Sequence, residues 1–207
     1  MTELLSEALR PKTFDDLVIP DELKNKFKKM HDTQNLMNMI FHGAPGTGKT
    51  STAKIFIASD KFETIIINGS LETSIDKVRD TIDQFTSALS LRGLPKLVVI
   101  DEADFLSKSA QASLRKLIED RSDNCRFIFT ANNIEKVDKA LQSRLLPICF
   151  DFATSEYKIL FPDFKTRLTN KVIKTFGEID TIELDRIING NFPDFRTIAN
   201  KIQHKFY

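Results

Sequence analysis

Two hydrophobic rhythms alternate along the chain. Short unbroken apolar runs fall near 38–42, 62–68, 96–101, 126–130 and 147–151, and each predicts a strand. Between them, near 21–31, 49–59, 75–90, 108–119 and 137–142, apolar residues return every three or four positions, the period of a helix with one buried face. In DELKNKFKKM, Leu23, Phe27 and Met30 form such a face and leave Lys24, Lys26, Lys28 and Lys29 to solvent. Runs that are apolar at every position suit strands covered on both sides, and the strand–helix alternation implies a parallel sheet flanked by helices. Beyond position 152 the strand rhythm stops. Leu168, Val172, Ile173 and Phe176, then Ile187 and Ile188, then Ile198 and Ile202 predict a small helical bundle, with turns expected at Pro162, Gly177, Gly190 and Pro193. The expected division is an α/β domain over 1–152 and an all-helical domain over 153–207.

Three of the chain's seven glycines, Gly43, Gly46 and Gly48, crowd into GAPGTGKT at 43–50. The string fits G-x-x-x-x-G-K-[ST], in which glycines let the backbone curl so that its N–H groups face one anion. Gly43, Ala44, Pro45, Gly46, Thr47, Gly48, Lys49, Thr50 and Ser51 are therefore candidate phosphate-binding residues. Lys49 is expected at the β- and γ-phosphates of a nucleotide and Thr50 at Mg²⁺. A strand-like run before the loop and a helical one after it supply the required setting. About fifty residues on, KLVVID ends a buried-looking strand in Asp101 and Glu102, where open parallel sheets place their ligands. Asp101 is expected to organise the metal and Glu102 to activate water. RFIFTANN ends another such strand, with Asn132 as a candidate contact to the γ-phosphate.

Composition narrows the class. Of 207 residues, 41% are hydrophobic and 29% charged, which excludes a disordered chain, and no apolar stretch is long enough to span a membrane. Glu3 and Glu7 stand where a signal peptide would carry its positive region and apolar core, and argue against export. Cys125 and Cys149 lie in strand-like runs and read as reduced core residues of a cytosolic protein. The net charge is +1, with nine basic and eight acidic residues after position 150, so neither part is a basic arm and any nucleic-acid contact must be local.

Five stretches resemble the AAA+ ATPases and, within them, the sliding clamp loader subunits of T-even-type phages and replication factor C: LRPKTFDDLVIP (9–20), GAPGTGKT, VVIDEADFLSKSAQASLRKLIE (98–119), FIFTANNIEKVDKALQSR (127–144) and NFPDFRTIANKI (191–202). The resemblance implies a P-loop NTPase sheet followed by a helical lid. It assigns Arg10, Pro11, Val18 and Ile19 to the adenine pocket, Asn132 to the first sensor and Arg196 to the second. Arg144 matches an arginine finger completing a neighbouring subunit's ATP site, and Gln111 a buried polar residue coupling subunit contacts to that site. The implied partners are a sliding clamp, primer-template DNA and other clamp loader subunits in an oligomer, with no membrane, in the cytoplasm of a phage-infected host. Lys77, Arg79 and Lys108 are candidate DNA contacts, although a solvated helix face explains them equally. The family usually carries Cys after QSR, where this chain has Leu145. Its length accommodates the ATPase and lid domains without the ring-forming collar of the family. Two other readings share the same residues: an ATP-gated scaffold with little turnover, and another AAA+ DNA motor such as a helicase loader or branch-migration ATPase.

Overall fold

The computed structural model describes residues 4–71, 75–90 and 92–207; Glu3, cited against export, lies outside them. Five parallel strands, β1 (Met39–His42), β2 (Glu63–Asn68), β3 (Lys96–Asp101), β4 (Cys125–Ala131) and β5 (Leu146–Cys149), form one sheet in the order β2-β3-β4-β1-β5. The register sets Phe41 beside Thr130 and Asn68 beside Asp101, so the C-terminal tips of the inner strands end level with one another.

Both faces of the sheet are covered, which explains the continuous apolar runs. On one face, Val98, Ile100, Phe127 and Phe129 pack with α4 (Ile75–Ser87), through Val78 and Ile82, and with α5 (Lys108–Asp120), through Leu114 and Ile118. On the other, Leu97, Val99, Ile128 and Phe41 meet Phe27 and Met30 of α2 (Asp21–Asp32) and Ala53 and Phe56 of α3 (Lys49–Ile57). Successive strand residues point to opposite faces, so each face claims alternate positions of one run. Every residue of β3 is buried.

The C-terminal helices α7 (Thr154–Phe176), α8 (Thr181–Asn191) and α9 (Phe195–Phe206) have their own core of Leu168, Val172, Leu184, Ile187, Ile188, Ile198 and Ile202. Leu5 of the short N-terminal α1 (Leu5–Ala8) belongs to this cluster, and its N–H donates to Gln203 Oε1 at 2.9 Å. α1 and α9 are thus packed together.

Several expectations need correction. Pro162 lies inside α7 and Gly190 inside α8, neither at a turn. Proline removes one helical donor and glycine costs about 1 kcal/mol against alanine. Both helices continue because apolar residues on either side of these positions bury in one cluster. Gly177 (φ 79°) does end α7, and Pro193 does stand between α8 and α9. Ile173 is 41% exposed, outside the bundle core. Cys125 is buried, its thiol pushed up to about 12 by desolvation, but Cys149 is exposed on edge strand β5 and is not a core residue. The helix expected at 137–142 is the shorter α6 (Lys139–Gln142). Among the described residues no helix is long and apolar enough to cross a membrane.

Candidate functional site

The loop between β1 and α3 carries the glycine cluster. Gly46 (φ 80°) and Gly48 (φ 100°) adopt left-handed backbone that other residues rarely accept, and this curls the chain into the N-terminus of α3. A β-carbon on Gly46 would also sit 2.0 Å from Asp194 Oδ1, which caps α9. Lys49 opens α3 and is 6% exposed. Its Nζ donates to the carbonyls of Gly43 (2.7 Å) and Ala44 (2.6 Å). Burial pulls its pKa down to about 8, opposed by Asp151, Asp104 and Asp101 and reinforced by Arg196. A buried ammonium in this condition gains from any anion brought beside it.

Beside the loop stand the acidic tip of β3 and the end of β4. Asp101 is buried, and its Oδ1 accepts from Thr50 Oγ1 at 2.8 Å and Thr130 Oγ1 at 2.5 Å. Glu102 has left-handed backbone (φ 57°, ψ 45°), unusual for a residue with a β-carbon, and its N–H donates to Thr130 Oγ1 at 3.0 Å. The turn directs the chain off the sheet directly after Asp101.

Lys49, Thr50, Glu102 and Thr130 line a cleft of about 680 Å³, within the range that takes a nucleotide-sized ligand. Of the residues expected at the site, Arg10, Pro11, Val18, Ile19, Pro45 to Ser51, Glu102, Asn132 and Arg196 all line it. Arg10 donates to Glu7 and to Ser51 Oγ (3.3 Å), and its guanidinium holds the Glu7 carboxylate below its ordinary range. Gly43, Ala44 and Asp101 do not line it. Arg144 does not reach the cleft: it donates to Glu119 and to the Ala140 carbonyl. Gln111 is buried, 2% exposed, donating to the carbonyls of Leu106 and Lys136 and accepting from the Asp138 N–H. Lys77 and Arg79 on α4 and Lys108 at the start of α5 are exposed, and Arg79 pairs with Asp80.

The sequence reading passed over four groups at this site. Thr130 joins Asp101 to Glu102; it lies two residues before Asn132, and strand periodicity could have found it. Asp151, just past β5, accepts from the Ala44 N–H at 2.7 Å, a contact across 107 residues with no local signal. Arg167 and Lys171 of α7 line the cleft and donate to the carbonyls of Asp15 and Asp16 and of Ala8. One turn apart on a charged helix, they read only as a wet face.

The donor set fits a nucleoside triphosphate with a hard divalent cation. Lys49 and the N-terminus of α3 suit phosphate, and the Thr50 hydroxyl and Asp101 carboxylate are oxygen ligands already in contact. Among the described residues there is no cluster of three or more His, Cys, Asp or Glu able to hold a metal, so a cation here would draw most of its shell from phosphate and water.

Comparison with known proteins agrees with this geometry. Residues 39–150 match the family described as ATPases associated with various cellular activities (AAA). The chain is 36% identical over 203 residues to the sliding-clamp-loader large subunit of Enterobacteria phage T4, covering 96% of this chain and 63% of that protein. It is 35% identical over 208 residues to the replication factor C small subunit of Archaeoglobus fulgidus, covering 97% of this chain and 63% of that protein. It therefore spans under two thirds of the length of these relatives. Among solved structures, the Thermotoga maritima RuvB Holliday junction branch migration motor superposes with a TM-score of 0.67 at 21% identity, covering 94% of this chain and 64% of the other, a likeness of fold.

Proposed function

Because this chain belongs to the AAA family of ATPases, we propose that it is an ATPase subunit of a clamp loader, using ATP binding to grip primer-template DNA and an open sliding clamp and hydrolysis to release both. The observation that carries this reading is the cleft itself, where the phosphate loop from Pro45 to Ser51, Glu102, Asn132 and Arg196 line one volume. Similarity to clamp loader and replication factor C subunits over nearly the whole chain supports the choice of complex.

In this reading Arg10, Pro11, Val18 and Ile19 hold the adenine. The loop N–H groups and Lys49 hold the phosphates, and Thr50 with Asp101 would hold Mg²⁺. Bound Mg²⁺ supplies positive charge beside the β- and γ-phosphates. Glu102 accepts a proton from the attacking water, and Asn132 and Arg196 contact the γ-phosphate from the sheet and from α9. Arg144 points away from its own cleft and serves a neighbouring subunit's, so turnover depends on assembly. Residues 1–152 form the nucleotide-binding domain and 153–207 the lid, and Lys77, Arg79 and Lys108 contact DNA. The complex works in the cytoplasm of a phage-infected host.

The test is ATP turnover by the chain with its partner subunits, with and without primed DNA and clamp. Stimulation by DNA and clamp is expected, and no stimulation by either rejects clamp loading. Mixing Glu102→Gln with Arg144→Ala subunits tests action in trans: full activity from Arg144→Ala alone is incompatible with it.

A further inference from the structure

We propose that Thr130 is the residue that positions the acidic pair, setting the carboxylate of Asp101 and the backbone of Glu102 through one hydroxyl; the inference rests on the ATPase reading above and assigns a further residue to that site.

Thr130 is 2% exposed on β4, between β3 and β1. Its Oγ1 lies 2.5 Å from Asp101 Oδ1 and 3.0 Å from the Glu102 N–H. A carboxylate can only accept and an amide N–H can only donate, so both roles of the hydroxyl are used and its proton is committed to Asp101. Asp101 Oδ1 also accepts from Thr50 Oγ1 at 2.8 Å, and the carboxylate is therefore pinned between two hydroxyls, one from the first turn of α3 and one from β4.

The second bond matters because Glu102 is strained. Left-handed backbone is unfavourable for a residue with a β-carbon, and persists only where its surroundings hold it. Three contacts hold this turn. Thr130 accepts the Glu102 N–H, Phe105 N–H donates to the Glu102 carbonyl at 3.0 Å, and Gly69 leaves room for that carbonyl, which would be 2.6 Å from a β-carbon there. Only the first of these also touches the Asp101 carboxylate; Gly69 meets Asp101 through its backbone, donating its N–H to the Asp101 carbonyl at 2.7 Å. Thr130 thus ties the expected metal carboxylate to the backbone of the expected base, from β4, the strand that leads into Asn132. Any movement of that strand tip reaches the Asp101 carboxylate and the Glu102 backbone through a single side chain.

Thr130→Val keeps the shape and removes the hydroxyl, and Thr130→Ser keeps the hydroxyl. Thr130→Val should lower kcat for ATP by about 10- to 100-fold, the usual consequence of losing a group that orients a metal ligand. It should raise by a similar factor the Mg²⁺ concentration at which a fluorescent, non-hydrolysable ATP analogue reaches half-maximal binding. Binding of that analogue without Mg²⁺ should stay unchanged, and Thr130→Ser should recover wild-type behaviour in all three readouts. If Thr130→Val does not fold, Thr130→Ala compared with Thr130→Ser makes the same contrast. Wild-type kcat and Mg²⁺ dependence in Thr130→Val overturn the proposal. Equal impairment of Thr130→Val and Thr130→Ser also overturns it, because the methyl group and not the hydroxyl would then matter. Failure of the ATPase reading is separate: wild-type protein would bind the analogue without hydrolysing ATP, and the Mg²⁺ titration would still decide for or against Thr130.

Discussion

The two walls of the cleft are built differently. One is the C-terminal edge of the sheet, where Thr50, Asp101, Glu102 and Thr130 are tied by hydrogen bonds across 28 to 51 residues, Asp101 and Thr130 sitting on strands covered on both faces. The other is made by α7, α9 and the segment around Arg10. It is held by long, partly exposed side chains, Arg167 and Lys171 on backbone carbonyls and Arg10 on Glu7, and by the Phe195 N–H on the Gly46 carbonyl at 3.1 Å. Regions secured by exposed contacts open at lower cost than those secured by buried ones. The contrast assigns fixed geometry for chemistry to the sheet wall, and adjustable grip on a nucleotide to the helical wall.

The largest expected effect tests the packing behind that contrast. Phe56 is fully buried and meets Phe14 and Phe27 edge-on. Phe56→Ala should cost about 3–5 kcal/mol in urea denaturation, the range for deleting a buried aromatic. Phe192, half-buried among Tyr157, Phe161, Phe164 and Phe195, should cost clearly less on the same change. Equal losses, or the reverse order, would remove the distinction between a rigid wall and a yielding one.

Next in size is the loss of the phosphate lysine. A hydrogen bond to a charged group contributes about 1.5–3 kcal/mol, so Lys49→Ala should weaken ATP binding by about 10- to 150-fold in an equilibrium titration. Arg167→Ala on the helical wall should weaken it only a few-fold. A larger loss from Arg167 would mean that the phosphates are gripped mainly by the lid.

Acidity separates binding from folding at the same residue. Below a pH of about 8 Lys49 carries its proton in the free protein; above it, a polyphosphate must bring a proton along in order to bind. ATP affinity should therefore fall as pH rises above about 8, by up to about tenfold per unit. Stability responds with the opposite sign. The unfolded chain keeps this proton up to the ordinary lysine value of 10.5, so between about 8 and 10.5 it binds more protons than the folded chain, and the Lys49 contribution to stability rises with pH. Affinity that stays flat across this window in the wild type would assign the buried charge to another partner.

What could be read from the sequence follows the same division. The three inner strands were legible because residues buried on both sides leave an uninterrupted apolar run, as in β3, and the edge strands β2 and β5 carry similar runs although they are only partly buried. GAPGTGKT and the acidic pair were legible because their chemistry is local. Contacts between distant segments were not. Thr130 and Asp151 earn their places only after folding sets β4 beside β3 and the end of β5 beside the loop. Pro162 and Gly190 were misread for a related reason, since local breaking tendencies yielded to a shared apolar cluster. Cys149 misled because an edge strand has the same residue types as an inner one but leaves one side open.

The smallest predicted effect is the most specific to the helical wall. Lys171 is exposed, and its Nζ donates to the Ala8 carbonyl at 2.7 Å, fastening the end of α1 to α7. A single such bond contributes about 0.5–1.5 kcal/mol, and less when solvent competes for it, so Lys171→Ala should shift global stability by under about 1 kcal/mol. The segment from Leu9 to Ile19, which carries Arg10, Pro11 and Val18 into the cleft, is anchored at one end by Leu5 in the helical cluster and at the other by Phe14 and Leu17 in the sheet core. Loosening the first anchor should leave kcat unchanged and speed release of a fluorescent ATP analogue several-fold in stopped flow. Thr130→Val should do the reverse, slowing turnover while leaving Mg²⁺-free binding alone. If Lys171→Ala slows turnover without affecting release, the helical wall takes part in the chemistry and the division between the two walls fails.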